Sequence, residues 1–160
     1  MQRFEEIYEA HRGDIESYVR RRAAADVVDD VVADVFVVCL RRIDDVPPAP
    51  LPWLYTVARK TLANERRRRA RTAPSELTVA HDPEPVGDSR LAAAFARLGE
   101  SDREILRLVA WEGLSPGEAA TVLDCSRVTA RVRYHRAKAR LAAQLEDAIS
   151  VRPVHQGVMR

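Results

Sequence analysis

Aromatic residues and cysteines are scarce in this chain of 160 residues. Phe, Trp and Tyr make up 6% of it, against 46% hydrophobic residues in all, so any core must be built mainly from Val, Leu, Ala and Ile. The two cysteines, Cys39 and Cys125, cannot form a disulfide framework, and no Cys/His cluster has zinc spacing, so no metal site is expected. Both are expected to be buried free thiols, because free cysteine packs as a small hydrophobe.

Long apolar runs are also missing. A membrane-spanning helix needs about 20 mostly apolar residues, and no segment of this sequence has them, so no membrane insertion is expected. The first ten residues, MQRFEEIYEA, are acidic and amphipathic, which is not the pattern of a secretory signal. The expected location is the cytoplasm.

Lysine is nearly absent, with 2 Lys against 24 Arg. A GC-rich genome explains the preference for Arg, but it does not explain where the cations lie. Residues 51–73 hold 7 basic and 1 acidic residue, and residues 126–141 hold 6 basic and no acidic residue, although the net charge of the whole chain is only +2. Two basic blocks in an otherwise acidic chain predict two contacts with one polyanion.

Hydrophobic periodicity predicts an all-α fold of two small helical domains, residues 1–71 and 90–148, followed by a tail over 149–160. Three prolines and four acidic residues between them, at 72–89, indicate a flexible linker. The first domain should hold helices over 2–22 (broken near Gly13 into two), 27–43 and from Trp53 onward. The β-branched residues of 27–43 favour a strand, but their i, i+3, i+4 spacing favours a helix.

In the second domain, helices are expected over 90–98 and 101–112, with Ser101 as N-cap and Glu104 completing a capping box. A further short helix begins at Ser115, where Pro116 and Glu118 give a second capping box. Asp124-Cys125 should form a turn, and Ser126 should cap the next helix. That helix has an inward stripe made of Ala130, Tyr134, Ala137 and Leu141.

The opposite face of this last helix carries cations and two valines. A helix with an outward face of this kind and basic flanks suits the major groove of DNA, where Arg reads guanine and Val meets the thymine methyl. The alternative is a plain helical hairpin with a solvated basic face. The candidate duplex-binding residues are Arg127, Val128, Arg131, Val132, Arg133, His135 and Arg136.

Three segments together resemble one family. LSPGEAATVLDCSRVTARVRYHRAKARL resembles the promoter-reading helix-turn-helix of bacterial sigma factors of the small extracytoplasmic-function (ECF) type. WLYTVARKTLANERRRRAR is similar to the helix with which that family reads and opens the −10 element, and VVDDVVADVF resembles its acidic helix that docks on core RNA polymerase. The resemblance covers about residues 1–70 and 90–145.

The resemblance implies a promoter-specific initiation factor with no catalysis and no cofactor. Its partners would be promoter DNA, core RNA polymerase through the clamp region of the β′ subunit and the β flap, and an anti-sigma factor, with a monomer expected outside the holoenzyme. The helix-turn-helix would read the −35 element. The −10 contacts would come from Arg59, Lys60, Asn64, Arg67 and Arg68, and the polymerase contacts from Asp29, Asp30 and Asp34.

Two other functions remain open on sequence grounds. An autonomous helix-turn-helix regulator would explain the second basic block but not the first. A small metalloenzyme would rest on the DDxxxD pattern of Asp29, Asp30 and Asp34 alone, without a phosphate loop or a nucleophile–base pair beside it. Within the first basic block, Trp53 is expected to pack in the core rather than to stack on a base.

Overall fold

The structure, a computed structural model, describes residues 1–72 and 89–150, and within these ranges it consists of helices joined by short connections, without a β-strand. The predicted all-α fold is therefore confirmed. The N-terminal unit consists of α1 (Gln2–Arg20), α2 (Val28–Arg41) and α3 (Leu51–Thr72), with 3₁₀ turns at Ala25–Val27 and Ile43–Asp45. The C-terminal unit consists of α4 (Ser89–Ala96), α5 (Glu100–Ala110), α6 (Pro116–Leu123) and α7 (Arg127–Ser150). The predicted linker falls almost entirely on residues 73–88, and the tail on 151–160, which lie outside the described ranges.

Helix α1 runs without interruption through Gly13, so the predicted break there is wrong. Gly13 is exposed, and no other group lies within 4 Å of the place where its Cβ would be. A glycine in a helix interior costs about 1 kcal/mol relative to alanine. The burial of Ile15, Tyr18 and Val19, each 0% exposed, outweighs that cost and carries the helix past the glycine.

Helix α2 forms despite its β-branched composition. Its buried residues recur at helical spacing and include Val28, Val31, Val35 and Cys39, so packing against α1 and α3 overrides the preference for a strand. On α3, Leu54 and Ala58 are fully buried in the hydrophobic core, and Trp53 is partly buried against the same core. This position agrees with the expectation that Trp53 packs.

The two predicted capping boxes have different outcomes. Ser115 and Glu118 form theirs: Ser115 Oγ accepts from the Glu118 backbone N–H at 3.2 Å, and the Glu118 carboxylate accepts from the Ser115 N–H at 2.8 Å. The box at Ser101 and Glu104 is wrong, because α5 begins one residue earlier, at Glu100, with Gly99 as N-cap. The Glu104 carboxylate instead accepts a hydrogen bond from an arginine of the N-terminal unit.

The two units are in direct contact. Helix α3 lies against α6, and the buried side chains of both units form one continuous cluster. Cys39 is buried and Cys125 is half-buried, and both are free thiols. No helix within the described ranges has the length and hydrophobicity needed to span a bilayer.

Candidate nucleic-acid and polymerase interfaces

The turn between α6 and α7 sets the direction of the last helix. Asp124 adopts the left-handed conformation with φ 53° and ψ 52°, and the Cys125 N–H then donates to the Ala120 carbonyl at 3.1 Å, which ends α6. Ser126 Oγ caps α7 by accepting from the Thr129 N–H at 3.0 Å. Ala130 and Ala137, both 0% exposed, seat α7 closely on its neighbours. The predicted turn, cap and inward stripe are all present.

The outward face of α7 is open to solvent. Val128 is 70% exposed and Val132 is 42% exposed, which is unusual for large aliphatic side chains and leaves both able to meet a partner. None of the arginines on this face forms an ion pair with another described residue. The polar members of the face are also exposed: Arg127, Arg131, Arg133, His135 and Arg136. Their charge is therefore available to an external polyanion.

Not every cation of α7 belongs to this face. Arg140 donates twice to the Asp102 carboxylate, at 2.9 and 2.6 Å, and so ties α7 to α5. Lys138 lies 4.5 Å from the ring centre of Tyr134. Arg133, one of the predicted duplex contacts, is exposed but also lines the cleft between the two units.

On α3, the structure brings three of the five predicted −10 residues together. Lys60, Asn64 and Arg67 are exposed and spaced at i, i+4 and i+7 along one face. The Arg67 guanidinium donates to the Asn64 side-chain oxygen at 2.8 Å. This hydrogen bond uses the side-chain oxygen of Asn64 as acceptor and leaves its NH₂ group as a potential donor to an external acceptor.

Arg59 and Arg68 lie at the two edges of that face. Arg59 donates to the Val122 carbonyl of α6 at 3.4 Å and so points toward the C-terminal unit. Arg68 pairs with the Glu65 carboxylate at 2.8 and 3.0 Å, and this hydrogen-bonded ion pair raises the pKa of the guanidinium. The Arg68 side chain also lines the groove between α3 and α2, together with Asp30 of α2.

The acidic face of α2 is exposed as predicted, with Asp29, Asp30 and Asp34 all open to solvent. Between α2 and α3 runs an open groove of about 660 Å³, which Asp30, Asp34 and Val37 line. Val37 is 43% exposed, and Leu40, one turn further, is 44% exposed. An acidic surface with exposed aliphatic side chains suits a protein partner better than a nucleic acid.

A metal site does not follow from these aspartates. Within residues 1–72 and 89–150, no group of three or more His, Cys, Asp or Glu side chains is arranged to hold a metal ion. The DDxxxD pattern places Asp29, Asp30 and Asp34 on a solvent-exposed helix face.

Sequence reasoning missed a buried ion cluster between the two units. Arg22, 5% exposed, donates to both oxygens of Glu112 at 3.1 and 3.3 Å and to Glu104 at 3.3 Å, and Arg21 donates to Glu112 at 2.8 Å. The Glu112 side chain is fully buried. Three arginines in a row at a helix end look like a solvated terminus. The available signal was that Arg22 follows the core residue Tyr18 by four positions, about one helical turn, just beyond the end of α1.

The charges in this cluster depend on one another. Burial opposes the charged form of Arg22, but the neighbouring Tyr18, Glu104 and Glu112 keep the pKa of its guanidinium above the ordinary value. At Arg107 burial prevails, with repulsion from Arg22 in addition, and lowers the pKa to about 10. Arg22 also lies 3.7 Å from the ring centre of Tyr18, a cation–π contact that further orients it.

Comparison with known proteins places both units in one family. Residues 7–72 match the family model described as Sigma-70 region 2, and residues 88–141 match Sigma-70, region 4. The chain is 31% identical over 131 residues to the ECF RNA polymerase sigma factor EcfG of Rhodopseudomonas palustris, covering 76% of this chain and 72% of the relative. It is 34% identical over 140 residues to the RNA polymerase sigma factor CnrH of Cupriavidus metallidurans, covering 74% and 73%.

Two solved structures share the fold. One contains the sigma factor RpoE in complex with the anti-sigma factor NepR from Bartonella quintana, with a TM-score of 0.68, 22% identity, and coverage of 91% of this chain and 98% of that one. The other contains CnrH in complex with the cytosolic domain of CnrY, with a TM-score of 0.64, 29% identity, and coverage of 92% and 90%. By both matching regions and by its relatives, this chain belongs to the ECF sigma factors of the sigma-70 family.

Proposed function

We propose that this chain binds core RNA polymerase and directs it to promoters by reading a −35 element with α7 and a −10 element with α3. Sigma factors are initiation factors without catalysis of their own, so the contribution of this chain lies in binding. The observation that carries the proposal is the pairing of two exposed, basic helix faces, one on each unit, with an acidic, partly apolar face on α2. A regulator that binds duplex DNA alone would need only the basic face of α7.

The α7 face has the chemistry for direct readout of a duplex. Arg136 and Arg131 can each donate two hydrogen bonds to a guanine edge, while Val128 and Val132 can contact thymine methyl groups. The cations around them neutralise phosphates and release counterions, which supplies affinity without sequence preference. Since α7 is long and its outer face is unobstructed, it can lie in a major groove with its N-terminal turns on the bases.

The α3 face suits an opened strand. Asn64 offers a donor, oriented by Arg67, that can pair with an edge of an unstacked base, and Lys60 and Arg67 can hold the strand backbone. Holding a base out of the stack stabilises the open form of the promoter. We therefore assign closed-complex affinity mainly to α7 and opening mainly to α3.

The α2 surface is the proposed contact with the polymerase. Asp30 and Asp34 are exposed and line the groove, and the exposed Val37 adds apolar area to its lining. Charge complementarity with a basic partner would speed association and fix orientation. An anti-sigma factor is a further proposed partner, because the similar sigma factor RpoE is seen in complex with the anti-sigma factor NepR, and CnrH is seen in complex with the cytosolic domain of CnrY.

The direct test is transcription with purified components. The chain, core polymerase and a library of randomised promoters should yield transcripts from a subset of sequences that share two elements at a fixed spacing. Transcripts from no sequence would contradict the proposal. Binding of the chain alone to one duplex element, without any effect on core polymerase, would instead support an autonomous regulator.

A further inference from the structure

The cleft between the two units is strongly basic. Its volume is about 520 Å³, which lies in the size range of small-molecule sites, and side chains from both units line it. Within the described ranges, seven arginine or lysine side chains contribute to the lining, but only two carboxylates do, those of Glu100 and Glu104. The walls of the cleft therefore carry an excess of positive charge.

The excess comes from cations that no carboxylate neutralises. Three of the seven cations are bound by Glu100, Glu104 or Glu112. The other four form no ion pair with a described residue: Arg59, Lys60, Arg66 and Arg133. Helix α3 supplies three of them and α7 supplies the fourth, so their charge enters the cleft from two sides.

Neutral acceptors orient two of these four side chains. Arg59 donates to the Val122 carbonyl at 3.4 Å, and Arg66 donates to the Arg22 carbonyl at 2.9 Å. A carbonyl positions a guanidinium without cancelling its charge, and a group with five N–H donors keeps most of them for another acceptor. Arg59 and Arg66 are seven residues apart, about 10 Å, on one face of α3. This spacing allows them to bind the two ends of a chain of phosphate groups.

Repulsion among the cations shows that the positive potential of the cleft is strong. Burial is the main cause that lowers the pKa of Arg107 to about 10, and repulsion from Arg22 and Arg66 adds to it. The two carboxylates of the lining are already used, since Glu100 and Glu104 accept from Arg107 at 3.1 and 3.4 Å. An anion that enters the cleft would lower this repulsion without displacing an existing ion pair.

Two further features of the lining suit an anion. The Tyr18 side chain is 0% exposed, and its hydroxyl has no hydrogen-bond partner within the described residues. A phosphate oxygen would supply the missing acceptor once the side chains that cover the hydroxyl move aside. Helix α5 also begins at the cleft: Ser101 lines it, and no side chain caps the helix at Gly99. The N–H groups and the dipole at such a helix start favour phosphate.

We propose that this cleft binds a small molecule with a di- or triphosphate group, either an inorganic polyphosphate or a nucleoside polyphosphate. Arg59 and Arg66 of α3 and Arg133 of α7 bind the phosphate oxygens from two sides. Arginine suits these oxygens because its planar group can donate two parallel hydrogen bonds to one phosphate. In a nucleoside polyphosphate, the apolar Leu62 and Leu123 of the lining contact the base.

The position of the lining residues favours a small occupant over DNA. Tyr18 is 0% exposed and Arg22 is 5% exposed, and the cleft that they line has one unit on each side. The phosphates of a DNA duplex lie on the outside of a wide, stiff cylinder, which cannot enter a cleft of this size. The exposed faces of α3 and α7 remain the surfaces for DNA.

Occupation of the cleft would affect promoter binding. Lys60 and Arg133 line the cleft and are also among the residues proposed to contact the promoter. A bound polyphosphate would therefore occupy cations that DNA needs. This consequence rests on the proposed function, but the binding site does not. Its test uses neither polymerase nor promoter, so the site stands or falls independently of promoter recognition.

Isothermal titration calorimetry of the full chain measures the site directly. The ligands are sodium tripolyphosphate and GTP, at about 0.15 M salt and without divalent cations. Each should bind at one molecule per chain. Lys60→Gln combined with Arg133→Gln should weaken the affinity for both ligands at least about tenfold, because each substitution removes a charge-assisted hydrogen bond. Tighter binding of GTP would assign the apolar part of the lining to a base, and equal affinities would identify the phosphate chain as the whole ligand; both results support the site.

Arg67→Gln combined with Arg136→Gln is the matched control. This pair removes the same two charges from the same two helices, but neither residue lines the cleft. All four substituted side chains are exposed, so both double variants should keep the helical circular dichroism of the parent. The control should bind both ligands within about twofold of the parent affinity, since salt screens exposed charges that do not touch the ligand.

Three results would overturn the proposal. The first is that neither ligand binds at this salt concentration. The second is an equal loss of affinity in the two double variants, which would mean that polyphosphate responds to the total charge and not to the cleft. The third is saturable binding of a short DNA duplex that depends on Lys60 and Arg133 while neither polyphosphate binds, which would make the cleft a part of the DNA path.

Discussion

Arg136 offers the sharpest test of the α7 surface. Its side chain is exposed and forms no ion pair with the other described residues, so Arg136→Ala removes nothing that holds the fold together. Arginine and alanine are both good helix formers, and the free energy of unfolding should therefore change by less than about 0.5 kcal/mol. The effect of the substitution should appear only on DNA.

The expected size follows from the contact that Arg136 would make. One bidentate contact to a base edge contributes roughly 1–3 kcal/mol of discrimination, which corresponds to a loss of about 5- to 150-fold in affinity. Fluorescence anisotropy of holoenzyme on promoter duplexes gives that affinity. Repeating the titration at several salt concentrations, and with every base pair of the upstream element varied in turn, separates the two types of contact. A base contact relaxes the preference at one base pair, whereas a phosphate contact weakens all sequences alike and lowers the salt slope by about 1.

Arg140→Ala is the matched control on the same helix. Arg140 is committed to Asp102, so its loss should cost up to about 1 kcal/mol of folding stability and leave base preference unchanged. Unchanged affinity and unchanged preference in Arg136→Ala would refute the assignment of this face to duplex readout. The same holds if relaxed preference appears with Arg140→Ala instead.

Three further predictions concern the other surfaces. Asn64→Ala should leave closed-complex affinity nearly intact in gel shifts and lower the open fraction in permanganate footprints; the reverse pattern would mean that α3 reads duplex. Asp30→Arg combined with Asp34→Arg should reduce retention on immobilised core polymerase with an unchanged circular dichroism spectrum, and equal retention would exclude this face as the docking surface. Ser115→Ala should lower the free energy of unfolding by about 1 kcal/mol in urea titrations. Because hydrogen bonds from Ser115 hold the pKa of Glu118 below its ordinary 4.5, the part of the stabilisation that the Glu118 carboxylate supplies is complete above that value. It is lost as the pH falls through the lower folded pKa, so the stability deficit of Glu118→Ala should shrink in acid, and a deficit that persists unchanged there would contradict this account.

The sequence was most informative where local chemistry decides structure. Ser115, Glu118 and Ser126 cap helices through contacts within three residues of each other, so their roles could be predicted from spacing alone. The inward stripe of Ala130 and Ala137, and the outward position of Val128, follow from the 3.6-residue period of a helix. The same period placed Asp30 and Asp34 outside on α2.

Predictions that rested on one local signal failed where tertiary packing opposed that signal. Gly13 lowers helix propensity, but it does not break α1, because the buried residues on both sides of it hold the helix in the core. Ser101 and Glu104 have capping-box spacing, but the Glu104 carboxylate is drawn to Arg22, more than eighty residues away in the chain. Likewise, the five predicted −10 residues lie in one segment of the sequence, but two of them lie at the edges of the face that the other three share. Arg59 is drawn toward α6 by the Val122 carbonyl, and Arg68 is held by the Glu65 carboxylate.

The sequence by itself therefore determined the helical class, the caps of α6 and α7, the outward face of α7 and the two basic blocks, because each depends on residues that are near neighbours along the chain. Only the tertiary structure decided how the two units meet. Burial of Arg22 against Glu112 joins residues ninety positions apart, and it depends on the shape of both units rather than on any spacing. An arginine at a helix end is normally solvated, and nothing short of the packed interface could show that this one is sealed between two carboxylates.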